Sequence, residues 1–198
     1  DALPENECTH RETVAETEET AGTTAPPEAS ASEAALEQYR AIINQASSYD
    51  YGENGGTPTG NYRYALVFME PDDTVPALLL SQENSSFLYH VRLFSYEPET
   101  GVMLQPEEVL EEGAAGGYYR ASLAREGDGY GLQLTAVSGG AGETQISRVT
   151  LSGETLKEEQ QWSGRMDQIP QELAGEEIHW YDSQDMTGLE GLAEKTEE

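Results

Sequence analysis

Polar and apolar positions alternate with a helical period in one early segment of the chain. Its apolar residues recur three and four positions apart and are Leu36, Tyr39, Ile42, Ile43 and Ala46. Side chains at this spacing share one face of an α-helix. Ser30 followed by Glu33 has the spacing of a capping box, which predicts a helix that begins at Ser30. The helix is expected to end near Ser48, before a glycine-containing run at residues 50–56.

Beyond residue 60 the pattern becomes that of β-strands. Apolar runs at residues 61–69 and 75–80 flank an acidic turn at residues 70–74, and together they predict a hairpin. Two residue sets alternate along residues 87–94, which predicts a strand with two distinct faces. Further strands are expected at residues 102–104, 117–124, 130–137, 145–151, 155–162 and 178–181. Turns that contain Gly, Asp or Ser separate them, as in an antiparallel meander.

Two shorter segments predict helical structure, a helical turn within residues 106–116 and a closing helix at residues 186–192. The predicted fold class is therefore α+β. An N-terminal helix packs on a curved antiparallel β-meander sheet, and a short helix ends the chain. The single domain is expected to span residues 30–193, with a frayed tail at residues 194–198.

Composition sets residues 1–29 apart, because they are rich in Glu, Thr, Ala and Pro. Almost nothing there can be buried, so the segment is expected to be a disordered, extended linker. It holds the only cysteine, Cys8, which excludes a disulfide within the chain. The chain starts at Asp1 without a methionine, and we interpret it as a processed form whose signal segment has been removed.

Charge narrows the classes of partner. The 198 residues carry 10 Lys and Arg against 38 Asp and Glu, a formal net charge of −28. Nucleic-acid binding is not expected, because phosphate neutralisation needs a basic face. No apolar run is long enough to cross a bilayer, so no transmembrane segment is expected.

The acidic hairpin turn provides candidate metal ligands, namely Glu70, Asp72 and Asp73. Ca²⁺ takes several oxygen ligands, and three carboxylates in one turn supply them. The turn lacks the glycine and the distal Glu of an EF-hand loop, and its alternative interpretation is a solvated acidic turn. No cofactor is expected other than this candidate Ca²⁺.

Aromatic side chains provide candidate ligand contacts, because an exposed ring gives a large contact area for few rotatable bonds. The candidates are Tyr62, Tyr64, Tyr118, Tyr119 and Trp180, and the ligand they would bind is an unidentified protein or carbohydrate. The alternative is that tyrosines fill half-buried strand positions, which they favour.

No catalytic residues are nominated. The histidines His10, His90 and His179 lack metal-binding spacing, and no Gly-x-Ser-x-Gly elbow is present. His90 is expected to be an exposed or partly buried strand residue. Carboxylates are so numerous that the sequence cannot nominate the pair that a glycosidase needs.

The hairpin resembles a motif of uncharacterised secreted and lipoprotein domains of gut Firmicutes. In one-letter code that motif is close to YALVYIDDDDIPELLL, and residues 64–80 follow it; a similar form, DxDGDGxPEL, occurs in calcium-binding FG-GAP-like segments. Asp72 and Asp73 match its acidic positions, and the strand that follows resembles the next hairpin of the family. The sequence departs from the motif at Pro71, Thr74 and Ala77. The resemblance implies an envelope-exposed domain without an assigned activity.

Together these features predict a non-enzymatic extracytoplasmic domain, at the cell surface or secreted, that binds an unidentified ligand. The alternatives are a Ca²⁺-stabilised structural module and a carboxylate-based hydrolase. A lipid anchor upstream in the precursor stays open.

Overall fold

The computed structural model describes residues 28–52, 56–115, 119–140 and 142–194. Cys8, Tyr118, nearly all of the predicted linker and the last four residues of the predicted tail lie outside the described residues. None of the helices in the described ranges is both long and apolar enough to span a membrane.

The predicted first helix is present as α1, Glu28–Asn44, and a 3₁₀ turn at Ala46–Ser48 follows it. Ser30 lies inside this helix and not at its start, so the predicted boundary is wrong. The predicted apolar stripe is the buried face: Tyr39, Ile43 and Ala46 are almost inaccessible to solvent, and Leu36 is half-buried. The stripe packs against residues of the sheet such as Leu78, Leu80 and Phe94.

Within the described residues, the strands form one open, antiparallel sheet. Their bounds are β1 Pro58–Val67, β2 Ala77–Asn84, β3 Leu88–Glu97, β4 Val102–Leu104, β5 Leu110–Ala115, β6 Tyr119–Arg125, β7 Leu132–Ser138, β8 Glu143–Ser152, β9 Thr155–Arg165, β10 Glu176–Glu177 and β11 Tyr181–Asp182. The strand order is β11-β1-β2-β3-β5-β6-β7-β8-β9, with β4 paired to β3 and β10 paired to β6. Apart from β4, the strands from β1 to β9 follow one another in the sheet as in the predicted meander, whereas β10 and β11 depart from that order and pair with β6 and β1. A second helix, α2, spans Thr187–Glu194 near the predicted closing helix.

Two predicted elements differ from the structure. Of the strand predicted at residues 178–181, only Tyr181 lies in a strand, because residues 178–180 connect β10 to β11. Within the segment expected to hold a helical turn, residues 110–115 form β5, which pairs with β3 on one side and with β6 on the other. The local run of Glu, Val and Leu has no strong strand signal. Pairing with two neighbours decides the conformation, because tertiary contacts override weak local propensity.

Two apolar clusters lie on opposite faces of β1, β2 and β3. Leu79, Val91 and Leu93 belong to the first cluster, which continues through Leu123 and Leu134 of β6 and β7. Alternate residues of the same strands belong to the second cluster, beneath α1 and with Leu189 of α2. The two faces predicted for β3 are therefore both buried, which an alternating pattern alone does not reveal.

Contacts between distant strands show how the sheet is arranged. The Gly131 N–H, in the β6–β7 turn, donates to the carbonyl oxygen of Phe68 at the end of β1 over 2.8 Å. Arg148 of β8 pairs with Glu70 just after β1. Because these elements are far apart in strand order, the sheet must bring its two halves together around the first cluster.

The chain between β9 and β10, residues 166–175, crosses the outer face of the sheet, and we call it the strap. The outer face is the side of β6, β7 and β8 that points away from the first cluster. The strap is held by the Gln133 side-chain amide, which donates to the Leu173 carbonyl oxygen over 3.2 Å, and by β10, which pairs with β6. After β10 the chain buries Ile178 in the first cluster and reaches β1 as β11.

Candidate functional site

The strap divides the outer face into a polar cleft on one side and an apolar groove on the other. The polar cleft has a volume of about 500 Å³. Its polar lining consists of three carboxylates, three amides and one guanidinium: Glu126, Asp128, Glu172, Gln133, Gln161, Gln171 and Arg148. The volume lies within the range of about 300–1,000 Å³ that is typical of small-molecule sites.

The β6–β7 turn places two of the carboxylates. The Gly129 N–H donates to the Glu126 carbonyl oxygen over 2.8 Å, and the Tyr130 N–H donates to Oδ1 of Asp128 over 3.1 Å. Gly129 has a φ of +86°, which favours glycine. The turn chemistry of the Gly-Asp-Gly run therefore holds Glu126 and Asp128 at the mouth of the cleft.

A β-bulge places one of the amides. Trp162 pairs with Ile146 and Gln160 pairs with Ser147, so Gln161 is the extra residue of β9. A bulge re-aims the side chain of the inserted residue. Gln161 lines the cleft, and its neighbour Gln160 does not.

Arg148 is the charged centre of the cleft wall. Its Nη2 lies 3.1 Å from Oε2 of Glu70, and its Nη1 lies 3.7 Å from Oε2 of Glu126. Burial raises the pKa of Glu126 above its ordinary value; Asp128 and Glu70 add to the rise, and Arg148 opposes it. The Arg148 guanidinium is thus held between two carboxylates. The lining of the cleft contains more carboxylates than positively charged side chains.

In the predicted acidic turn, the side chain of Asp73 is hydrogen-bonded to the backbone of the turn itself. Oδ2 of Asp73 accepts hydrogen bonds from the N–H groups of Met69 and Glu70, over 3.0 and 2.8 Å. Glu70 points to Arg148, and Asp72 is exposed. In the part of the chain that the structure describes, no three His, Cys, Asp or Glu side chains are grouped as metal ligands. The Ca²⁺ site stays a prediction.

The predicted aromatic residues do not share one surface. Tyr64 is completely buried, its hydroxyl donates to the Asp185 carbonyl oxygen over 2.7 Å, and its ring stacks on Tyr181. Its assignment as a ligand contact is therefore corrected, because strand alternation turns Tyr64 towards α1. Tyr62 packs beside it in the second cluster, and Tyr119 packs against the first.

Trp180 contacts Arg63 on the face of β1 opposite to Tyr64. We call Arg63, Tyr89, Glu112 and Trp180 the arginine cluster. The Arg63 guanidinium lies 3.8 Å from the ring centre of Tyr89 and 4.2 Å from that of Trp180. Its Nη2 lies 2.6 Å from Oε2 of Glu112, whose pKa is raised by burial although Arg63 opposes the rise. These contacts hold the segment before β11 against the sheet. The rings of Tyr89 and Trp180 already contact a cation of the protein itself, the Arg63 guanidinium.

The apolar groove lies on the other side of the strap and has a volume of about 460 Å³. Phe87 and Met166 line it and are 79% and 59% exposed. Phe87 has a φ of +62°, the left-handed region that a bulky residue rarely adopts. The groove is a second candidate contact surface, of opposite polarity to the cleft.

The sequence alone does not predict the polar cleft. The glycines and aspartate at residues 127–129 predict only a turn between two strands, and the strap has no periodic pattern. Glutamines at positions 133, 161 and 171 belong to no motif, so only the fold brings them together. His90, expected at or near the surface, is 3% exposed, since both faces of β3 are covered.

Comparisons of this chain with protein-family models, with curated proteins and with solved structures found no match.

Proposed function

We propose that the chain is a non-enzymatic extracytoplasmic binding module whose ligand lies in the polar cleft. The observation that carries the proposal is the cleft itself, with Arg148 fixed between Glu70 and Glu126 and amide groups on three surrounding elements. Groups that are held in place before binding lose little conformational freedom on binding. The ligand is a carbohydrate or a segment of a protein, and nucleic acid is not a partner, given the net charge of −28.

The setting of this module is part of the same proposal. Its support is the resemblance of the hairpin at residues 64–80 to the motif of secreted and lipoprotein domains. Such a module sits at the cell surface or is secreted, with the acidic segment before α1 as its tether. The ion pair between Glu70 and Arg148 supports a link between the motif and the cleft.

A ligand screen read by amide chemical shifts tests the binding function. ¹⁵N-labelled protein is mixed in turn with a neutral sugar, a polyamine, a sugar acid and a hydrophobic peptide. We expect at least one probe to shift the amides of residues 126–128, 148, 161 and 171–174. Shifts confined to the apolar groove around Phe87 and Met166, or none at all, would refute binding in the cleft.

One observation favours a carboxylate-based hydrolase as the second candidate. Glu126, whose pKa is raised by burial, shares the cleft with Asp128 and Glu172. A carboxyl with a raised pKa that shares a cleft with a second carboxyl group is the arrangement of a general acid and its partner. Release of reducing sugar from polysaccharides by the parent chain, abolished in Glu126→Gln, would establish the hydrolase; no release across the panel would leave the binding module.

A further inference from the structure

We propose that the polar cleft takes a neutral, polyhydroxylated ligand, a carbohydrate, and that its glutamine side chains recognise the hydroxyl groups. The inference rests on the proposed function, since it names the ligand class of the same site. It is carried by the balance of donors and acceptors around the cleft, by its charge and by its contrast with the groove across the strap.

Charge disfavours an anionic ligand. The cleft holds three carboxylates, Glu126, Asp128 and Glu172, against a single guanidinium. That guanidinium already faces Glu126 and Glu70, so its charge is compensated before any ligand arrives. An added phosphate or carboxylate would meet repulsion from the lining as well as from the whole chain.

Polarity disfavours an apolar ligand. Among the described residues, the apolar side chains that line the cleft are Leu173 and Ala174 of the strap. An apolar molecule would strip water from carboxylates and amides without replacing their hydrogen bonds, which is costly. The groove on the other side of the strap, with Phe87 and Met166, is the better surface for such a molecule.

The remaining lining matches hydroxyl groups. A hydroxyl donates one hydrogen bond and accepts others, an amide side chain both donates and accepts, and a carboxylate only accepts. Gln161 and Gln171 are exposed at the cleft, and the Gln161 amide makes a long hydrogen bond of 3.5 Å to the Glu159 carbonyl oxygen. Gln133 is 6% exposed and is fixed by its hydrogen bond to the strap. Amides and carboxylates that line the same cleft satisfy both roles of hydroxyl groups without any charge on the ligand.

The test uses the full chain and defined probes. Neutral trisaccharides (maltotriose, cellotriose, xylotriose and triacetylchitotriose) are titrated into ¹⁵N-labelled protein, alongside spermidine as a cation and trigalacturonate as an anion. The side-chain amide signals of glutamine report contacts directly. Gln161→Ala removes a cleft amide, and Gln160→Ala is the matched control, because both residues are exposed neighbours on β9 and only Gln161 lines the cleft.

We expect at least one neutral trisaccharide to shift the Gln161 and Gln171 side-chain signals. Gln161→Ala should weaken its binding about tenfold, as expected for the loss of one or two hydrogen bonds. Gln160→Ala should leave the affinity unchanged.

The other outcomes overturn the proposal at different levels. If spermidine or trigalacturonate alone binds, with the same dependence on Gln161, the ligand class is wrong and the binding function stands. If a trisaccharide binds equally well to Gln161→Ala, or shifts signals elsewhere, the carbohydrate site is not this cleft. If no probe shifts the cleft amides of the folded protein, both the ligand class and the proposed function at this cleft are refuted.

Discussion

The hydroxyl of Tyr39 ties α1 to the sheet, and its removal tests how the helix is held. Tyr39 is fully buried, its hydroxyl donates to the Pro76 carbonyl oxygen over 2.7 Å, and it accepts from the Tyr96 N–H over 3.3 Å. Tyr39→Phe keeps the ring and its packing but leaves two backbone groups of the sheet without this partner. Because no cavity forms, the change isolates the hydrogen bonds.

The expected loss follows from those two bonds. A buried hydrogen bond contributes about 0.5–1.5 kcal/mol net, so Tyr39→Phe should lower the free energy of unfolding by about 2 kcal/mol. Tyr51→Phe is the matched control. Its hydroxyl is also buried but makes one bond, to the Ala46 carbonyl oxygen over 3.0 Å, so about 1 kcal/mol should be lost.

Urea unfolding followed by circular dichroism measures both variants against the parent. With a slope of about 2 kcal/mol per molar, Tyr39→Phe should move the midpoint by roughly 1 M and leave the slope unchanged. A loss no greater than that of Tyr51→Phe would refute the reasoning. It would mean that the hydroxyl of Tyr39 does not hold α1 on the hairpin.

Three further perturbations test the acidic turn, the cleft and the arginine cluster. Asp73→Ala removes the acceptor of two backbone N–H groups, so thermal unfolding should show a loss of about 1–2 kcal/mol, equal in EDTA and in millimolar Ca²⁺. Because the folded-state pKa of Glu126 lies above its unfolded value, protonation favours folding, and stability is lost as pH rises from the ordinary carboxyl value of 4.5 through the folded pKa. Glu126→Gln should reduce that loss in urea unfolding at a series of pH values, while Glu154→Gln on an exposed turn should not. Alanine replacement of Arg63 and Glu112, singly and together, should give a coupling energy of about 1–2 kcal/mol in a double-mutant cycle.

Each of these has an outcome that contradicts it. Stabilisation of the parent by Ca²⁺ that Asp73→Ala lacks would make the turn a metal site and restore the Ca²⁺-stabilised module. An unchanged pH dependence in Glu126→Gln would mean that the carboxyl is solvated like any other. Additive losses for Arg63 and Glu112 would mean that the pair is screened and that the two rings alone hold the arginine.

The strands were predictable where local pattern and turn chemistry agree. The acidic turn between β1 and β2 and the Gly-Asp-Gly turn between β6 and β7 both fall where Pro, Asp and Gly interrupt apolar runs. β5 was not predictable, because residues 110–115 become a strand only through their two neighbours. The burial of both faces of β3 was also hidden, since it depends on α1 on one side and on β6 and β7 on the other.

The candidate site was less predictable than the fold. By residue type, Tyr64 is as suitable for contacting a ligand as any other tyrosine. Only the position of α1 shows that it is a core residue. The cleft residues come from the β6–β7 turn, from β7, β8 and β9 and from the strap, far apart in sequence. Gln161 reaches the cleft through a bulge that leaves no mark in the sequence.

The acidic turn and the cleft are physically connected, and this changes how the hairpin motif should be understood. Asp73 closes the turn by accepting two backbone N–H groups, and the closed turn presents Glu70 to Arg148. Arg148 in turn faces Glu126 inside the cleft. Asp73 and Glu70 therefore have a role that requires no metal, because together they set the position of the Arg148 guanidinium in the cleft wall. A cation that drew Glu70 away would leave Arg148 paired with Glu126 alone and would alter the charge of the cleft wall, so metal binding at the turn and ligand binding in the cleft would be coupled through this pair.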